Sequence, residues 1–202
     1  MSPCLVAGGM VVGAVLAPAG LYAARRTAST VLRRRHEVCL AIVIALVGAA
    51  AASWQAPLLA PAVLLGVLGV PAVVVDAVEH RIPDRLSLPL AGGVLVALAS
   101  AGQPAQLLDA VAGGAAWTAL LLATFLATGQ PGPGDIKLAP SLGLLASWTG
   151  WNVLITSIAF SYLLAGLIAV VGMLSRRLTL RGRLPLGPPM MAATVLAISL
   201  WH

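Results

Sequence analysis

Gly132-Pro133-Gly134-Asp135-Ile136-Lys137 sits between two long apolar runs, residues 106–128 and 136–149. Two glycines and a proline let the backbone turn sharply just where a helix should begin. Asp135 then stands at the edge of a hydrocarbon-seeking segment, and it is one of only six acidic residues in the chain. An acid in that position is costly unless it has a task or a partner. One other stretch has the same character: Asp76 closes the apolar run 57–75 and is followed by Ile82-Pro83-Asp84. The expectation is that these two carboxylates, far apart in the chain, meet at one membrane surface.

The runs around these stretches decide the fold class. Of 202 residues, 60% are hydrophobic and 9% are charged, where a soluble domain has roughly a quarter charged. The chain reads as an all-α, polytopic transmembrane helical bundle. Eight spans are predicted: residues 3–23, 38–54, 57–75, 86–101, 106–128, 136–149, 152–174 and 186–201. A span needs roughly 20 apolar residues, so the fourth, sixth and eighth are short and need bilayer thinning or neighbouring helices. A re-entrant segment is the alternative for the sixth. The chain divides into residues 1–37, a first span with a short basic loop, and residues 38–202, the main membrane domain. The Gly92-Gly93 and Gly113-Gly114 pairs read as close-packing sites.

Charge placement orients the bundle. All twelve Lys and Arg residues fall near residues 24–37, 76–85, 129–137 and 175–185, which lie on one side of an eight-span topology. The opposite loops, near 55–56, 102–105 and 150–151, contain none. The positive-inside rule places the first set in the cytoplasm and both termini outside. Asp76 and Asp135 then share the cytoplasmic face of a cell membrane. The net charge of +6 does not indicate nucleic acid, because the basic residues lie in short loops and aromatics are scarce. The basic clusters read as topology anchors, with contact to anionic membrane lipids as the functional alternative. Asp109, on the far side, reads as stabilising a helix N-terminus.

No metal or cofactor is expected. Cys4 and Cys39 lack zinc-site spacing and read as small buried side chains; His36, His80 and His202 are widely separated. Two carboxylates held a few ångström apart share a proton near neutral pH. The ionised member can activate water while the protonated one polarises a peptide carbonyl, which is metal-free aspartyl protease chemistry. Charge placement alone leaves a second reading equally open, in which Asp76 ends one helix and Asp135 caps the next.

The local wording favours the first. Val75-Asp76-Ala77-Val78-Glu79-His80-Arg81-Ile82-Pro83-Asp84-Arg85-Leu86 closely resembles the first catalytic motif of the prepilin peptidases, or type IV leader peptidases. Gly132-Pro133-Gly134-Asp135-Ile136-Lys137 resembles their second, Gly-x-Gly-Asp-x-Lys. Leu142-Gly143 and Trp148-x-Gly150 fit the pattern too. Leu184-Pro185-Leu186-Gly187-Pro188-Pro189 looks like a degraded Pro-Phe-Gly-Pro-Phe element. The resemblance covers residues 38–202.

It implies an integral-membrane aspartyl endopeptidase that removes short basic leaders from prepilins or pseudopilins. Asp76 and Asp135 match the catalytic aspartates, and Gly132 and Gly134 the turn glycines. Lys137 matches the motif lysine and is assigned to positioning the loop or tuning the pair. Glu79, His80 and Asp84 read as solvated loop groups, with leader recognition by Glu79 and Asp84 as the alternative. Pro133 stiffens the family's turn, and Pro140 is expected to be tolerable only in a first helical turn. Long family members carry a paired-cysteine domain where this chain has residues 25–37, so cleavage without N-methylation is expected. Presenilin-like proteases also use Gly-x-Gly-Asp, but they have Tyr-Asp where Val75-Asp76 stands and a Pro-Ala-Leu element missing here. A small ion- or proton-coupled transporter with Asp76 and Asp135 as relays is the alternative from another class.

Overall fold

A computed structural model describes residues 3–27, 34–52, 54, 56–79, 82–175 and 186–201. Residues 28–33 and 176–185, His80, Arg81 and His202, and the side chains of Cys4, His36 and Cys39, lie outside that description.

Every predicted apolar run is helical. The elements are α1 (Pro3–Thr27), α2 (Arg34–Ala51), α3 (Ala56–Leu64), α4 (Val70–Glu79), α5 (Asp84–Ala99), α6 (Pro104–Thr128), α7 (Pro133–Thr149), α8 (Trp151–Leu174) and α9 (Gly187–Leu200). A π-helical turn, Leu65–Gly69, joins α3 to α4, and its flanking residues Leu64 and Val70 keep right-handed helical angles. The three pieces therefore form one rod, which is the third predicted span. Three helical stretches among the described residues are long and apolar enough to cross a membrane: Ala56–Ala77, α6 and α8. The protein is an all-α membrane bundle.

The neighbours α1 and α2, α6 and α7, and α8 and α9 pack along each other, and α7 also touches α5 and α9. The short sixth run thus becomes an inner helix. Leu138, Ala139, Leu142, Leu145, Ala146 and Trp148 are all buried in the core. In lipid there is little hydrophobic drive between helices, so close approach depends on small residues. A Cβ on Gly143 would lie 2.7 Å from Gly114 Cα and 3.0 Å from Gly113 O. Ser147 fills the space beside Gly113, and its hydroxyl donates to Ala110 O at 3.3 Å and to Gly143 O. Buried hydroxyls on other helices are also bonded within their own helix, such as Ser157 to Val153 O and Thr194 to Met190 O, as a water-poor interior requires.

Three expectations are corrected. Gly93 does face a neighbour, with a Cβ there 2.9 Å from Leu64 Cδ1, but Gly92 has nothing within 4 Å. Pro140 is not in a first turn: α7 runs through it. Its carbonyl is packed at 3.1 Å from the Cβ position of Gly114, and non-ideal helix is tolerated where protein surrounds it. Asp109 is not in the first turn of α6, which contains no acid; it accepts a 3.1 Å hydrogen bond from Trp151 Nε1. At the opposite end of the bundle, Arg25 donates to Glu37 Oε1 through Nε at 2.8 Å and Nη2 at 2.5 Å, tying α1 to α2.

The α6–α7 contact makes a test of the packing. Gly143→Ala forces the two helices apart and should destabilise the bundle by about 1–3 kcal/mol. Thermal unfolding in detergent would register this, with Gly92→Ala as a control that stays near wild type.

Candidate active site

Asp76 and Asp135 reach the same place for different local reasons. Asp76 belongs to α4, in the second half of the rod. Pro71 offers no N–H to the carbonyl four residues back. Immediately before it the helix widens into the π turn, and Val70 N–H bonds to Leu65 O. A π turn alters the helical register of whatever follows, so the face that Asp76 presents depends on that turn.

Asp135 is the third residue of α7. Gly132 precedes the helix in an extended conformation, φ −64° and ψ 155°. Pro133 takes the first helical position, where a missing N–H costs nothing, so this departure from the family pattern suits its place. Asp135 Oδ2 accepts a hydrogen bond from Gly132 N–H at 3.1 Å, and its carboxylate lies at the positive end of the helix.

Gly134 is the point of contact between the two motifs. A Cβ there would lie 3.0 Å from Ile82 N, 3.1 Å from Ile82 Cγ1 and 3.4 Å from Asp76 Oδ1. The start of α9 forms the third wall. A Cβ on Gly187 would lie 3.0 Å from Asp76 Oδ2 and 3.7 Å from Ile82 Cδ1. The backbone N–H groups of Leu186 and Gly187 face the Asp135 carboxylate from this wall and favour its charged form. The two acids are thereby enclosed: Asp76 is 4% exposed and Asp135 3%. Asp135 Oδ1 has no hydrogen-bond partner among the described residues.

Asp135 precedes the apolar run 136–149. Burial, and after it the neighbouring Asp76 carboxylate, push the Asp135 carboxyl from 3.8 up to about 7. The N–H groups of Gly132, Gly187 and Leu186 pull the other way. Such a site can hold a proton at neutral pH beside a second carboxyl group. It can therefore give one proton and take another within a single enclosure.

The remaining predicted residues divide. Lys137 and Asp84 are brought together, with Lys137 Nζ 2.5 Å from Asp84 Oδ1, and both are largely exposed. Glu79 ends α4 and is half-buried. Among the described residues, no three His, Cys, Asp or Glu side chains are grouped as metal ligands would be. Sequence reasoning did not place Ile82, Leu186 or Gly187 in the site. The Leu184-Pro185-Leu186-Gly187 wording carried a signal for the last two, but nothing local says that they act through backbone N–H groups and the absence of a side chain.

The sequence model of the Type IV leader peptidase family matches residues 62–170, just over half of the chain. The matched stretch includes Asp76, Gly134 and Asp135 and ends before Leu186-Gly187. No curated protein matches, and no solved structure does.

Proposed function

This chain belongs to the type IV leader peptidase family, and on that premise we propose that it is an aspartyl endopeptidase acting on prepilin-like proteins. The observation that carries this reading is the enclosure of two acids from distant segments in one site, with Gly134 and Gly187 leaving room for both. In the proposed reaction one carboxylate takes a proton from water as its oxygen bonds to the scissile carbonyl carbon. The other, protonated, carboxyl gives its proton to the carbonyl oxygen. Collapse of the tetrahedral gem-diol breaks the C–N bond: the leaving amine takes a proton from the acid that received one from water, and a hydroxyl of the intermediate returns a proton to the other carboxylate as the carbonyl re-forms. The pair returns to its starting state with no other reactant consumed.

The distribution of basic residues supports a site at the cytoplasmic membrane face, where the substrate leader would enter. Residues 28–33 separate α1 from α2 and contain no cysteine, which supports a product that is trimmed but not N-methylated. A relay transporter would carry such acids within its spans, whereas Asp76 lies near the end of a helical rod and Asp135 at the start of a helix, which supports the peptidase reading.

Incubation of a prepilin with membranes containing the protein tests the proposal, read as loss of the leader on a gel and by mass. The pH profile sharpens it. The working site holds one proton, so the rate should fall as pH rises through about 7 and Asp135 loses it. Stability moves in the same direction. The folded pKa is raised, so the contribution of Asp135 is fully present below 3.8 and is lost as pH rises through about 7. A rate that stays level from pH 6 to 9 would count against a shared proton.

A further inference from the structure

Lys137 has a place in this site that its motif does not explain. It is the fifth residue of α7, two residues after Asp135, and Asp84 opens α5, two residues after Ile82. Their charged ends are 2.5 Å apart. Between these helix starts lies a close approach that only glycine allows: a Cβ on Gly134 would lie 3.0 Å from the backbone N of Ile82. Beyond burial, the groups that act on the charge of Asp135 are Asp76 and the N–H groups of Gly132, Gly187 and Leu186. The lysine charge is directed at Asp84, away from this set.

Resting on the reading of Asp76 and Asp135 as the reacting pair, we propose that the Lys137–Asp84 ion pair is a clamp. It holds the start of α5 to the start of α7 and so fixes Gly134, and with it Asp135, against Ile82 and Asp76. Lys137 and Asp84 are positioning residues, and neither touches the reacting atoms. The Asp84 charge is matched inside the protein and is not the receptor for a basic leader. An exposed ion pair adds little to global stability, so its removal should leave the fold intact. Its effect falls on geometry, where a displacement of about 1 Å can cost on the order of 10²-fold in rate.

The test is steady-state cleavage of two prepilins, one with its basic leader and one with the leader charges neutralised. Lys137→Met and Asp84→Asn should each lower kcat about tenfold, with KM within about twofold, equally on both substrates. Lys137→Arg should retain most of the rate. Asp84→Lys and Lys137→Asp should each be impaired, and the two together should recover at least half of the wild-type kcat. Two outcomes overturn the clamp. One is a rise in KM seen only with the basic leader, which would make Asp84 a substrate contact. The other is single variants within twofold of wild type on both substrates. Asp135→Asn is assayed alongside: retained cleavage by that variant removes the catalytic premise, whereas normal clamp variants beside an inactive Asp135→Asn remove the clamp alone.

Discussion

Asp76→Asn and Asp135→Asn are each expected to reduce prepilin cleavage by on the order of 10³-fold, within the range usual for a lost general acid or base. Asparagine keeps the size of the side chain and removes the titrating proton. The enclosure around Gly134 and Gly187 should therefore survive while the chemistry does not. The two roles differ, one group accepting a proton as the other donates, so neither acid can replace its neighbour. The double variant should be hardly worse than either single one, because groups that act as a unit are strongly non-additive. Asp109→Asn is the control. Asp109 bonds to Trp151 far from the site and should cleave near the wild-type rate. Membrane levels and thermal unfolding of each variant separate lost chemistry from lost protein. Near-normal cleavage by either Asp76→Asn or Asp135→Asn would sink the shared-acid mechanism.

Gly187→Val is expected to reduce cleavage by on the order of 10²-fold or more, although Gly187 supplies no side chain. Its missing Cβ leaves room for Asp76: a methyl there would lie 3.0 Å from Oδ2 and 3.7 Å from Cγ. A branched side chain cannot be seated without moving Asp76 or the start of α9. Moving α9 also withdraws the N–H groups of Leu186 and Gly187 from Asp135. Either displacement changes the placing of the two carboxyl groups relative to each other, on which the proposed reaction depends. Gly166→Val on α8, where a Cβ has nothing within 4 Å, controls for the general effect of valine at a helical glycine. Wild-type cleavage by Gly187→Val would show that α9 is not a wall of the working site.

The effects should also differ in kind. Asn substitution removes a proton donor or acceptor, so no change of pH restores activity. Gly187→Val leaves both acids titratable, so a residual rate should keep a pH dependence.

The eight helices were legible in the sequence because a membrane allows few alternatives. Backbone groups in hydrocarbon must be bonded within their own segment, so each long apolar run has essentially one fold open to it. Local wording also marked Asp76 and Asp135, since acids are rare in such runs and each stands beside turn-forming residues. Pro133 at the head of α7 follows from its fixed φ and missing N–H.

Other features depended on contacts between distant parts of the chain. Pro140 looked like a helix breaker, but α7 runs through it in the interior of the bundle. Gly92 and Gly93 are adjacent in sequence, yet only Gly93 meets a neighbour, because successive helical residues point in different directions. Asp109 looked like a helix-end charge until Trp151 was placed against it. The π turn before Pro71 does not show in an apolar pattern either, though it affects the register of Asp76. The meeting of the two acids belongs to this second group. It requires the end of α4, the head of α7 and the head of α9 to converge on Ile82, and no spacing along the chain encodes that convergence. Hydropathy acts one segment at a time and so determined the helices. Close packing acts between segments, through single missing methyl groups, and only the tertiary structure decided which of them form the site.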